Sequence, residues 1–138
     1  MSDSLEIRVR RDSYCDVQLT FRVSDAHHYD RDVVCPVDIS LGIFGAKIVN
    51  ELVSSENLLA FTKALEQVYE TLEDTATLSL NELLFFSFTG NGRGRIDMSG
   101  LIQDVQQSEL RFQFAIDQTY LPAVIQQSRA IIETLNKL

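Results

Sequence analysis

The 138-residue sequence predicts an α+β fold: a mainly antiparallel β-sheet of about eight strands with two helices packed on one face. Three observations predict it. Much of the chain consists of short runs in which apolar and polar residues alternate, as in strands that bury one side. Two longer windows, Ser55 to Leu72 and Leu121 to Leu138, instead return apolar residues at helical spacing. The third observation is a junction. The strand-like run Glu109 to Asp117 passes through Gln118-Thr-Tyr-Leu-Pro122 into the second helical window, and a one-faced strand followed at once by a one-faced helix most simply folds the helix back over the sheet.

Taken in order, Leu5, Ile7 and Val9 alternate with charged residues in a first strand, and Arg10 to Ser13 reads as a turn. Cys15, Val17, Leu19, Phe21 and Val23 form the apolar side of a second strand, which completes a hairpin. Ser24 to Asp32 is polar and loop-like. Val33 to Leu41 is a third strand containing Pro36; proline gives no amide hydrogen to a ladder, so this strand should lie at an edge or carry a bulge there. Gly42 and Gly45 flank a turn, and Ala46 to Val53 is a fourth strand.

Helix one runs from about Ser55 to Leu72, with Leu58, Phe61, Thr62, Leu65, Val68, Tyr69 and Leu72 on its stripe. The serines at its start suit an N-cap, and Glu56 suits the positive end of the helix dipole. Ala76, Leu78 and Leu80 mark a fifth strand. Leu83 to Thr89 is almost continuously apolar, as expected for a central strand covered on both sides. Gly90-Asn-Gly-Arg-Gly94 then forms a hairpin loop into a seventh strand ending near Ile102, and Asp104 to Ser108 is a polar turn. The eighth strand aligns Leu110, Phe112, Phe114 and Ile116. Helix two aligns Leu121, Val124, Ile125, Ser128, Ile131, Ile132, Leu135 and Leu138. The two stripes are similar enough for the helices to lie side by side. The order strands, helix, strands, helix hints at two similar halves, although no repeat of fixed period is visible.

The length fits one domain, residues 1–138, which buries roughly two thirds of the surface its unfolded chain exposes. Such a core needs neither metal nor disulfide. No basic segment followed by an apolar run opens the chain, and no stretch approaches the roughly 20 apolar residues of a membrane span, so a cytoplasmic location without membrane contact is expected. In that setting Cys15 and Cys35 are expected as buried free thiols. A net charge of -8 has the wrong sign for tracking phosphates and argues against nucleic acid as partner. The acid is concentrated: between Ser54 and Leu84 the single base Lys63 faces Glu56, Glu66, Glu70, Glu73, Asp74 and Glu82. A solvated helix face explains this most simply. The functional reading is a docking face for a basic protein, with Glu66, Glu70, Glu73 and Asp74 as the contact residues.

Other candidate sites have simpler structural explanations. The loop Gly90 to Arg95 is rich in glycine like a phosphate loop, yet it leads into a strand and lacks a following Gly-Lys-Ser/Thr, so a hairpin with Arg93 and Arg95 exposed is expected. His27-His28-Tyr29-Asp30 holds both histidines in one loop, too few ligands for zinc and too isolated for a triad. Asp97 and Asp117 on neighbouring strands would be the carboxylate pair of an acid/base enzyme. Asp117 or Thr119 can cap helix two, Pro122 suits a first helical turn, and Tyr120 is explained by packing under the helix.

The helix with Leu58, Phe61, Leu65 and Leu72, then Ala76-Thr-Leu78, the glycine hairpin into Gly94-Arg-Ile96, and Phe112-Gln-Phe-Ala-Ile-Asp-Gln-Thr-Tyr-Leu-Pro122 together resemble the WapI-type immunity proteins. The resemblance runs from Cys35 to Leu138, and Asp117 to Pro122 is its most specific string. A tryptophan expected near the third strand is missing, since the chain has none, and the first strands lie outside the match. The resemblance implies a small cytoplasmic bacterial protein that binds and neutralises the toxic C-terminal domain of a polymorphic or contact-dependent toxin made by its own cell. The expected function is therefore a non-catalytic binding protein without cofactor or metal, partnered by a basic toxin domain; a homodimer is also compatible. The alternatives are a small ligand-binding or regulatory domain with a pocket between sheet and helices, and an enzyme using carboxylates.

Overall fold

A computed structural model describes residues 4–22, 33–42, 44–48, 52–81, 84–103 and 108–137. The strands are β1 (Ser4–Asp12), β2 (Cys15–Arg22), β3 (Val33–Val34), β4 (Val37–Leu41), β5 (Phe44–Ile48), β6 (Leu52–Val53), β7 (Thr75–Asn81), β8 (Leu84–Gly90), β9 (Arg95–Gln103) and β10 (Glu109–Asp117). Helix α1 spans Ser55–Thr71 and α2 spans Leu121–Asn136. The α+β prediction holds, with a finer division than one sheet. β1 to β6 form a six-stranded sheet and β7 to β10 a four-stranded meander, all their pairings antiparallel.

Two of the eight expected strand runs are each divided in two. Pro36 divides the run 33–41: β3 and β4 lie on the same side of β2, separated by Cys35 and Pro36. The proline keeps its carbonyl in the ladder, accepting from the Thr20 amide at 3.0 Å. On the outer side, β6 pairs with β3 and β5 with β4, so the proline marks an interruption inside the sheet and does not sit on an edge. The first hairpin forms as expected but turns later. β1 continues through a bulge between Arg10 and Asp12, and the turn falls at Ser13 and Tyr14, where Asp12 Oδ1 accepts the Tyr14 amide at 2.8 Å.

The central position of β8 is as expected, but its coverage is not. Leu84, Phe86 and Phe88 are buried, whereas Phe85 and Ser87 are only half-buried. Helix α1 lies on one face of this sheet; the other carries hydroxyl pairs such as Thr77–Ser87, 2.9 Å apart. An apolar run signals burial of its larger side chains, and here one of them, Phe85, faces the open side.

The helices lie side by side and antiparallel, α1 over β7 and β8 and α2 against α1 and β1. Leu58, Phe61, Leu65 and Val68 of α1 and Leu121, Val124, Ile131 and Leu135 of α2 are buried in one core with the inner sheet faces. Phe61 meets Phe88 with ring centroids 5.8 Å apart. At the helix contact, the fully buried hydroxyls of Thr62 and Ser128 hydrogen-bond to each other. Ser54 caps α1 by accepting the Asn57 amide at 3.1 Å. Neither helix is long and apolar enough to cross a membrane.

Candidate protein interface

Glu66 and Glu70 are one turn apart on α1 and stand on the same side of the helix. Between them in sequence, Tyr69 is 45% exposed although its neighbour Val68 is fully buried. The sequence pattern places both on the apolar stripe, but adjacent helical residues diverge by about 100°, so Val68 takes the interior and Tyr69 the margin. Across from them, α2 presents Pro122, Ile125 and Gln126. The two sets of side chains enclose an open groove of about 450 Å³. One of the groove's acids is already neutralised. The Glu66 carboxylate accepts from Arg129 Nε at 3.3 Å and from the same guanidinium's Nη2, which ties the two helices together.

The remaining two acids of the sequence-derived quartet lie beyond the helix. Leu72 closes α1 in the left-handed region at φ 61°, and Asp74 follows at φ 70°, so Glu73 and Asp74 belong to the turn entering β7. That turn is held by the glycine hairpin. The Gly92 amide donates to the Leu72 carbonyl at 2.5 Å, and the Gly90 amide to the Asp74 carbonyl at 3.1 Å. A Cβ on Gly90 would stand 2.4 Å from the Leu72 oxygen, so the strand approaches the helix end this closely only because residue 90 is glycine. Gly92 itself turns at φ 84° with the Glu73 side chain beside it. The glycine loop thus has a structural task, as the sequence indicates: it closes the β8–β9 hairpin, with Asn91 Oδ1 accepting the amides of Arg93 and Arg95 at 2.8 and 3.1 Å. Arg93 is exposed, and Arg95 donates to Asp97 at 2.9 Å.

The carboxylates of a possible acid/base pair are occupied separately. Arg95 stands opposite Asp117 in the ladder and engages Asp97, while Asp117 Oδ1 accepts both the hydroxyl and the 2.8 Å amide bond of Thr119. Those bonds hold the Asp117 carboxyl below its ordinary range, so it stays ionised at neutral pH and has no proton to donate. Its role is capping: Asp117 is the N-cap of a single 3-10 turn, Gln118–Tyr120, that leads into α2 with Pro122 in the first turn. Tyr120 is half-buried and packs against the core, as the sequence reading favours. It borders an open groove of about 570 Å³ whose arginines are partly committed. Arg8 forms a two-point bond to Asp16 at 3.0 and 2.7 Å, which pulls the Asp16 carboxyl below and the guanidinium above their ordinary values.

Cys15 and Cys35 are both buried and neither forms a disulfide. His27 to Asp30 lie outside the described residues. Among the described residues, no three His, Cys, Asp or Glu side chains converge as metal ligands would. The buried stripe of α1 packs directly against β7 and β8, while between the first sheet and the second helix the surface opens in the groove lined by Glu6, Arg8 and Arg10 of β1 and Ala123 and Gln127 of α2. On the side of Glu66 and Glu70 the surface carries an apolar groove with acidic walls and, past the helix end, a separate acidic turn clamped by the glycine hairpin. The sequence pattern shows the acids but not that Tyr69 and Pro122 are exposed, with the half-buried Ile125 at the groove floor between them. The available signal was the crowding of Val68 and Tyr69 on one stripe.

No curated protein and no solved structure gives a significant match to the chain. The profile of the immunity protein WapI-like family, in contrast, matches residues 2–136, so the likeness also includes the first strands, ahead of Cys35. With nearly its whole length matched, the chain belongs to the WapI-like immunity protein family.

Proposed function

We propose that this chain is a non-catalytic bacterial immunity protein that binds a cognate toxin domain in the cytoplasm of the producing cell and neutralises it by occluding its active surface. The family match over residues 2–136 carries this reading. The contact face we favour is the end of α1, with Glu66, Glu70, Glu73 and Asp74. Its local charge supports a basic partner, because α1 has no base in its last turn and its C-terminal dipole end is itself negative. Attraction of this kind acts mainly on the association rate.

The test takes as partner the variable C-terminal domain of a large secreted protein encoded immediately upstream of this chain, where one is found, with its activity disabled for binding work. Co-expression should rescue growth from the active domain. The variant Glu66→Gln/Glu70→Gln/Glu73→Gln/Asp74→Asn should associate about tenfold more slowly at low salt and lose most of its salt dependence. An unchanged association rate removes this face from the proposal, and absence of both binding and rescue removes the immunity reading itself.

A further inference from the structure

We propose that the groove between α1 and α2 is an anchor site that takes one apolar side chain from a basic segment of the partner, with Lys or Arg beside that side chain reaching Glu70. The inference deepens the immunity reading and rests on it. Four large hydrophobic residues are exposed among those described, Tyr14, Phe44, Leu52 and Tyr69, and of these Tyr69 lines a concave groove together with Pro122 and Ile125. An aromatic ring at a concave, water-accessible position supplies contact area with few torsions to immobilise, which is the character of interface anchors.

The charges identify the occupant. Every ionisable side chain that lines the groove, apart from Tyr69, is a carboxylate. Glu66 is compensated by Arg129, so it shapes the wall without demanding an external cation. Glu70 has no ion pair among the described residues and stands in the last turn of α1, near the negative end of the helix dipole. Packing a neutral or acidic segment here would leave Glu70 partly desolvated and unpaired, an unfavourable outcome. A cationic segment with an apolar centre removes that penalty. The anchor and the charges then divide the work: the apolar insertion slows dissociation, and the carboxylates speed association.

The division makes the claim testable with the same inactivated toxin domain as probe, by surface plasmon resonance at several salt concentrations. Tyr69→Ala should weaken binding by at least about 30-fold, mostly through faster dissociation and with an unchanged salt slope, as for an interface anchor. Tyr69→Phe should stay within about threefold of wild type, since the ring supplies the contact. Tyr14→Ala, an exposed aromatic on the β1–β2 turn, controls for general loss of surface area and should leave binding unchanged. Circular dichroism of each variant checks that the fold is intact. If the wild type binds and Tyr69→Ala matches it within twofold, the groove is not the anchor while the immunity reading stands. A wild-type chain that does not bind the domain overturns both.

Discussion

The groove keeps its shape only if α1 and α2 keep their register, and the buried hydroxyl pair between them gives a way to measure what fixes it. Thr62 and Ser128 are both 0% exposed. The Thr62 hydroxyl donates to the Leu58 carbonyl at 2.7 Å, which leaves Ser128 as the donor to Thr62 Oγ1. The links run in one direction, from Ser128 to Thr62 to Leu58. Ser128→Ala removes the first donor and leaves Thr62 satisfied, so it should cost about 1 kcal/mol, reduced slightly by alanine's helix propensity. Thr62→Val deletes the acceptor and leaves the Ser128 hydroxyl buried without it, at a cost of about 1–3 kcal/mol. The double variant replaces both groups by apolar ones of similar shape and should fall within about 1 kcal/mol of wild type. The coupling in the cycle is then about 1–4 kcal/mol, well above the roughly 0.3–0.5 kcal/mol scatter of independent sites. Urea unfolding with a constant m-value supplies the numbers, and for a chain of this size each kcal/mol corresponds to roughly 3–4 °C in Tm. Additive single-variant costs would refute the reasoning, because they would mean that the two hydroxyls do not depend on each other.

Two further predictions concern the supports on either side of the helices. Gly90→Ala places a methyl group 2.4 Å from the Leu72 oxygen and 2.7 Å from its carbon, and since both are backbone atoms the helix end must move. A loss of about 2–3 kcal/mol in urea unfolding is expected, with faster hydrogen exchange at the Gly92 amide; an unchanged midpoint would contradict the clamp. The Arg8–Asp16 pair sets a pH dependence. Bonding from Arg8 holds the Asp16 carboxyl below its ordinary value, so the folded state is favoured above the ordinary carboxylate range and this contribution fades as pH falls through the lowered value. The stability lead of wild type over Asp16→Asn should therefore be complete at neutral pH and close below about pH 4. A lead that stays constant from pH 7 to strongly acidic solution would show that the pair contributes through packing alone.

Most of the architecture was legible because it depends on local alternation. The two helical windows became α1 and α2 with their stripes inward, and the eight strand runs are all present. Their division into two sheets was not legible. Alternation states which side of a strand is buried, but it does not state which strand lies next to it, and the boundary between the sheets falls where α1 separates β6 from β7. Pro36 was legible as an irregularity through its missing amide. That it lies inside the sheet depends on β5 and β6 pairing from the far side, which is a long-range fact. Phe85 shows the opposite limit: apolarity announced burial, and only the location of α1 decides which face of the sheet is covered.

The candidate face was legible as charge and illegible as shape. Read along the chain, Glu66, Glu70, Glu73 and Asp74 look like one helical surface. In the fold they are two groups, because Leu72 enters the left-handed region and turns the last two away. Left-handed backbone at two residues other than glycine costs about 1–3 kcal/mol each, and something must offset it. The glycine hairpin does: Gly90 and Gly92 donate their amides to the carbonyls of the same turn, and the absent Gly90 side chain allows the approach. The sequence displays that hairpin and those acids as separate features. Their contact gives the turn a fixed conformation before any partner arrives, so binding there need not meet the cost of ordering it. A carboxylate pair on a backbone held in this way would discriminate among partners by geometry as well as charge, which a freely moving acidic helix end would not do.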